Sequence, residues 1–274
     1  MSTFNKYFDK IYVINLFDKK EKFDNVKKQF TNRKIKNIER FVAIDGRCIN
    51  QGIDACAQKL KTFEMIYDVK INIPKKKDKL KVMVPATSLT IGTVLILREM
   101  VKQKWERILI CEDDIELTRN LEKKFKQGIK EIGKKNWDLL YLGCGSYCGN
   151  NGIGYKKTKE TKYLSQLNEI YSDSEGVYVE HTNDLRAAPC GDDCKPFSEH
   201  INYASYPGGT WAYAYSLKGA KKLLKLIDNN VAAHIDQLIY QNVDENNLIA
   251  LAFDPPIIYH EKLDRTTSTI QWTF

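Results

Sequence analysis

A chain of 274 residues with 43% hydrophobic content can bury a sizeable core and lies within the length of one α/β domain, which excludes a disordered or fibrous protein. The net charge of +8 is moderate and the lysines are scattered, so nucleic-acid binding is not expected, whereas a basic surface suits an enzyme whose substrate carries a diphosphate. No stretch reads as an uninterrupted membrane span and residues 1–10 lack a secretory signal's apolar core, so the chain is expected to be soluble and cytoplasmic.

In chain order, the apolar run at 10–16 is the expected first strand. A helix follows over 20–30, with Phe23, Val26 and Phe30 at helical spacing, and a second strand over 38–44 closes on the turn signal Asp45-Gly46. Together they make a βαβ unit with a right-handed crossover. Residues 55–67 read as helical. The stretch 71–84 holds a dense run of Lys75, Lys76, Lys77, Lys79 and Lys81 and reads as a solvated loop or hairpin. Ser88 is the expected N-cap of a helix ending near residue 104, with Ile91, Val94, Leu95, Met100 and Val101 on its apolar side.

The next stretch carries the chemical signal. The apolar run 108–111 reads as a strand buried on both faces and ends abruptly in Glu112, Asp113 and Asp114. Three adjacent carboxylates cannot be buried unpaired, so they must lie where the strand leaves the core, at the edge where open α/β sheets bind ligands. Strand alternation groups Glu112 with Asp114 and turns Asp113 the other way. Two hard oxygen donors so spaced suit Mn²⁺ or Mg²⁺ holding a diphosphate. The plainer alternative is that the acids solvate a strand end and favour the next helix.

Beyond the acids, Thr118 is the expected cap of a helix with Leu121, Phe125, Ile129 and Ile132 at helical spacing, and 137–142 is another buried strand. Residues 146–202 are the least periodic and are expected to form a flexible insertion or lid within a single domain of 1–274. A strand over 210–215, a helix over 217–227 capped by Ser216, a short helix over 233–241 carrying Asp236, and strands over 248–253 and 257–260 complete the pattern. Of the seven cysteines, Cys48, Cys56 and Cys111 are expected as reduced thiols, while Cys144/Cys148 and Cys190/Cys194 either bind zinc together or form disulfides.

Taken in order, these pieces resemble the family 25 glycosyltransferases, which include bacterial lipooligosaccharide β-galactosyltransferases and procollagen galactosyltransferases. The resemblance is carried by Val13-Ile-Asn-Leu16, Ala43-Ile-Asp-Gly46, Gly92 and the helix leading into Ile108-Leu-Ile-Cys-Glu-Asp-Asp-Ile115, and Trp137-Asp-Leu-Leu-Tyr-Leu-Gly143. It continues through Gly209-Thr210, Ser216-Leu-Lys-Gly-Ala220, Asp236, and Pro255-Pro256 with Ser268-Thr-Ile270. Procollagen-like relatives in giant viruses, and a composition heavy in Lys, Asn and Ile, point to a viral member placed in host cytoplasm or virion.

The resemblance implies a GT-A-type nucleotide-sugar-binding fold, an α/β fold with a mainly parallel central sheet flanked by helices. It implies metal-dependent, inverting transfer of galactose or another hexose from a UDP-sugar to a hydroxyl of a glycan or protein acceptor. Glu112 and Asp114 are the expected ligands of Mn²⁺ or Mg²⁺, with His260 either the third ligand or an ordinary hydrogen-bonded histidine. Asn15, Leu16, Asp45, Gly46 and Asp113 are expected around the nucleotide, although Asn15 equally suits a turn. Trp211 either stacks on a sugar or belongs to the core. Asp236 is the expected base for the acceptor's proton, or else a local cap. One departure stands out: the family's Ser-His in the helix before the metal strand is replaced by Ile96 and Leu97. Donor and acceptor preference therefore do not carry over. A binding relative without turnover and a basic nucleic-acid-associated protein are the alternative readings, and the oligomeric state is open.

Overall fold

The computed structural model describes residues 2–48, 52–71, 80–145, 196–204, 207–228, 231, 234–254 and 256–260, without the side chains of 80–82, 144, 145, 208 and 260. A short helix α1 (Thr3–Tyr7) precedes β1 (Lys10–Asn15), α2 (Lys20–Asn32), β2 (Ile38–Val42), α3 (Ile53–Tyr67), α4 (Leu80–Gln103) and β3 (Arg107–Glu112). There follow β4 (Ile115–Leu117), α5 (Leu121–Ile132), β5 (Leu139–Gly145), β6 (Ile201–Tyr203), β7 (Gly208–Ser216), α6 (Leu217–Ile227), α7 (Ile235–Asp244), β8 (Ala250–Phe253) and β9 (Ile258–His260).

The main sheet has the order β2-β1-β3-β7-β5-β8-β6, and β4 pairs separately with β9. The pairs β1/β2, β1/β3 and β5/β8 are parallel, while β7 and β6 run against their neighbours. The result is the expected α/β arrangement, a mainly parallel sheet with helices on both faces. Alternation along the strands builds the two layers. Tyr12, Ile14, Ile108, Ile110, Tyr213 and Tyr215 pack with α3, α4, α6 and α7. Ile11, Val13, Leu109, Cys111, Ala212 and Ala214 pack with α1, α2 and α5. Residues 108–111 are fully buried, as a strand covered on both faces must be. Ser216 caps α6 as its sequence predicts, accepting from the Gly219 amide at 3.0 Å.

Several expectations are corrected. Helix α4 begins at Leu80 and contains Pro85; the Ser88 hydroxyl, expected as its cap, donates instead to the Pro85 carbonyl at 2.6 Å. Within α4, Met83–Gln103 is long and apolar enough to cross a membrane, contrary to the expectation that no segment is. Most of that helix is buried against the sheet, which explains its composition. Ile96 and Leu97 are core residues, so the departure from the family's Ser-His is filled by packing. The α5 N-cap is Asn120 rather than Thr118. Cys48 and Cys56 form a disulfide rather than two reduced thiols, with Cα atoms 5.4 Å apart, while Cys111 is free and buried as expected. The expected insertion at 146–202 is cut short: Pro196 bridges to Asn202, and β6 joins the main sheet beside β8. Residues 146–195 of the lid assigned to 146–202 and the lysine run at 75–79 lie outside the described residues, as do Cys148, Cys190, Cys194, the Cys144 side chain and 268–270.

Candidate functional site

The site is built where β3 ends. Glu112 is the last residue of β3, Asp113 and Asp114 form the turn into β4, and all three acids are half-buried. Because β2, β1, β3, β5 and β8 point the same way, the acids stand at the carboxyl edge of the sheet, near its centre.

On one side lies a braced polar chain. The Asn15 amide donates to Asp113 Oδ2 at 2.5 Å and to the Lys19 carbonyl at 2.7 Å, while its oxygen accepts from Arg40 Nε at 2.7 Å. Arg40 also donates to the carbonyls of Leu16 and Phe17, both at 2.8 Å. Both amide protons of Asn15 are thus committed internally. Asn15, expected around the nucleotide or in a turn, positions Asp113. Burial pushes the Asp113 carboxyl up, and the Asn15 bond and nearby Lys22 oppose that rise while Asp114 adds to it.

Farther out, Arg47 bridges Asp18 at 2.8 Å and Asp45 at 2.8 Å, and both acids are held below the usual carboxylate range by its hydrogen bonds. Asp45 is therefore an ion-pair partner at the loop after β2. Gly46 packs so closely on α4 that a Cβ would collide with Ser88 Oγ and the Pro85 backbone. Leu16 is half-buried, with its carbonyl bound to Arg40.

The other side of the acids belongs to β7 and α7. Thr210 Oγ1 donates to Glu112 Oε1 at 3.4 Å. Tyr213 is buried and its hydroxyl lies 3.1 Å from Thr93 Oγ1. Burial pushes that phenol far above its ordinary range, and Glu112 and Asp236 both add to the rise. Tyr213 belongs to the face of the sheet that α4 and α7 cover. Asp236 sits in the first turn of α7, where its Oδ1 accepts from the Gln237 amide at 2.8 Å and the helix dipole favours a carboxylate. His234 precedes it; burial lowers its pKa and Asp236 opposes that.

Trp211 does not join this face. It is only 7% exposed and packs in the α2/α5 layer, against Gly143, where β5 shifts register on β7. Of the two readings held open for Trp211, its burial fits the core one. His260 pairs in register with Ile115, which sets its backbone beside the acidic turn; its side chain lies outside the described residues. Arg40, Arg47, Thr93 and Tyr213 were not singled out by sequence reasoning, and Thr210 entered only through the Gly209-Thr210 motif. Only the Trp-Ala-Tyr-Ala-Tyr alternation of β7 offers a local signal, for Tyr213.

A second group, Glu131, Glu199 and His200, brings three ligand atoms within 4.8 Å of one another at the start of β6. Glu131 is already engaged there: Ser198 Oγ and the His200 amide donate to Oε2 at 2.6 and 2.9 Å, and His200 Nδ1 lies 2.7 Å from Oε1. This carboxylate braces the turn into β6.

Comparison with known protein families identifies one match. Residues 8–239, from the end of α1 into α7, match the family described as "Glycosyltransferase family 25 (LPS biosynthesis protein)". The chain is similar to procollagen galactosyltransferase 2 of Mus musculus, 25% identical over 142 residues, which cover 50% of this chain and 21% of that protein. It thus spans about a fifth of that relative's length. Among solved structures, one similar chain is the mannose-1-phosphate geranyltransferase of Thermus thermophilus, at 9% identity and TM-score 0.35 over 89% of this chain and 72% of that one. A likeness that slight adds nothing to the strand order above. The span of the family match, running from β1 through the acidic turn to Asp236, settles the assignment: this chain belongs to glycosyltransferase family 25.

Proposed function

We propose that the protein is a metal-dependent, inverting glycosyltransferase of the GT-A type. It would transfer a hexose, with galactose the first candidate from the relative's name, from a UDP-sugar to a hydroxyl of a glycan or protein acceptor. The observation that supports this best is the acidic turn, Glu112 to Asp114, standing at the carboxyl edge of a mainly parallel sheet with Asp113 held by the Asn15 amide. The donor set at the turn, hard carboxylate oxygens from Glu112 and Asp114 with the His260 backbone alongside, fits Mn²⁺ or Mg²⁺. Bound there, the ion would act as a Lewis acid on the departing diphosphate.

The chain's own residues divide the remaining work. Asn15 holds Asp113 in place, and the Arg40-pinned turn after β1 shapes the nucleotide side. Asp236 is the base: as the acceptor oxygen bonds to the anomeric carbon and the bond to UDP breaks, the hydroxyl proton passes to its carboxylate. The test is a thermal-shift panel of UDP-sugars with and without Mn²⁺. A ligand at a hundred times its Kd stabilises the folded protein by about 2.7 kcal/mol. Stabilisation by a UDP-sugar only in the presence of metal is expected; no shift with any UDP-sugar in Mn²⁺ would refute the reading.

A further inference from the structure

Between α4 and the outer strands β1 and β2, the described residues enclose a cleft of about 430 Å³. That volume holds a small molecule. The cleft is distinct from the acidic turn. Its far end, at Lys10 and Trp105, lies by the start of β3, whereas the turn follows the other end of that strand, about 17 Å along. Three aromatic rings line the cleft. Tyr12 stands edge-on to Phe41 and tilted against Trp105, with centroids 6.3 Å apart in both pairs. Each ring is held in place. Tyr12 belongs to a strand paired on both sides. Phe41 lies on Gly92 of α4, where even a Cβ would come within 3.2 Å of the ring. Trp105 is set by the end of α4: Lys104 turns left-handed, at φ 57°, and the Trp105 amide donates back to the Met100 carbonyl at 3.2 Å.

The charges around these rings are mainly negative, in a protein whose net charge is +8. Glu39 and Glu99 line the cleft against a single cation, Lys10. Burial, then Glu39 and Glu99, push the Tyr12 phenol up to about 12. Lys10 shows what the cleft accepts. Its ammonium lies 5.4 Å from the Trp105 ring centroid and donates to Glu39 Oε2 at 2.7 Å. Ring faces carry the negative end of the aromatic quadrupole, so rings and carboxylates together favour a cation. Lys10 answers Glu39. Glu99 accepts from Gln103 at 2.7 Å, which adds no charge, and Lys102 is 3.9 Å away. We propose that this cleft is a second ligand site, for a small organic ammonium ion whose charge lies beside Glu99 and the three rings. Leu95 and Ile96 complete the wall with apolar surface, which suits alkyl groups on the nitrogen rather than a hydrated metal ion. This site is independent of the nucleotide-sugar reading.

The test compares tetramethylammonium with tert-butanol, a neutral molecule of similar size and shape, by the NMR line broadening of each ligand's methyl signal on titration with the protein. The wild type should bind the cation about tenfold more tightly than the alcohol. Trp105→Ala should weaken the cation about tenfold, and Trp105→Phe, which keeps a ring, should retain most of the affinity. Glu99→Gln, at a half-exposed position where the fold does not depend on the charge, should weaken it about threefold. Lys10→Ala, which removes a like charge, should tighten it. Equal binding of cation and alcohol overturns the inference, because the cleft would then be merely apolar. Cation binding unchanged in both Trp105→Ala and Glu99→Gln also overturns it, since the ion would then lie elsewhere. So does an absence of binding to both the wild type and Lys10→Ala, which would leave the cleft as no more than a seat for Lys10.

Discussion

On the β1/β2 side of the acidic turn, polar groups are braced in series at 2.5–2.8 Å: Asp113 to Asn15, Asn15 to Arg40, Arg40 to the turn after β1, and Arg47 between Asp18 and Asp45. The Cys48–Cys56 disulfide ties the end of that loop to α3. On the β7/α7 side, Thr210 reaches Glu112 at 3.4 Å, the hydroxyls of Tyr213 and Thr93 lie 3.1 Å apart, and Asp236 bonds within its own helix turn at 2.8 Å. Its Asp236 sits in the first turn of α7 beside His234, whose pKa burial lowers. A stiff flank suits holding a ligand in one pose, because preorganised groups lose little freedom on binding. A looser flank suits groups whose protonation changes during a reaction.

That division can be broken from either side. Asp236→Asn should keep UDP affinity and cut transfer by about 10²–10⁴-fold, the usual worth of a positioned base; wild-type turnover in this variant removes Asp236 as base. On the stiff flank, reducing the disulfide or replacing Cys56 by Ser should cost about 2–3 kcal/mol for a loop this short, read as a lower Tm with dithiothreitol. An unchanged Tm would mean the tie adds no stability. Asn15→Ala orphans Arg40 Nε and an Asp113 oxygen, for about 1–3 kcal/mol in unfolding and weaker UDP binding. Weaker transfer with UDP affinity intact would place Asn15 on the wrong flank.

The smallest effect concerns His234. Its folded pKa lies below the ordinary 6.5, so between those values the unfolded chain binds more protons. Stability should therefore be lost as pH falls from 6.5 through the lowered value. His234→Gln should flatten that slope, and Asp236→Asn, which removes an opposing attraction, should steepen it. A pH-independent wild-type stability across this range would contradict the burial of a neutral imidazole.

What the sequence disclosed was whatever is local. The run 108–111 followed by three acids announces both a buried strand and the edge where it ends, because burial and desolvation act on neighbouring residues. The Ser216 cap and the Phe23/Val26/Phe30 stripe are legible for the same reason. What was hidden depends on partners far along the chain. Asn15 reads as a turn residue until β3 brings Asp113, 98 positions away, to its amide. The three residues of β6 carry no pattern of their own; they become a strand by lying against β8, about fifty residues on. Trp211 looks available beside Gly208-Gly209, yet the register shift of β5 turns it into the core. The Cys48–Cys56 pair spans eight positions and was hidden for another reason: spacing alone does not distinguish a disulfide from two thiols.

The central claim, a cation held by the acidic turn and gripping a nucleotide diphosphate, is tested most directly by titrating UDP into the wild type and Asp114→Ala with and without Mn²⁺. The account predicts tight binding only for the wild type with metal, and an Asp114→Ala protein that stays folded but no longer responds to Mn²⁺. Undiminished Mn²⁺-dependent UDP binding by Asp114→Ala would contradict it.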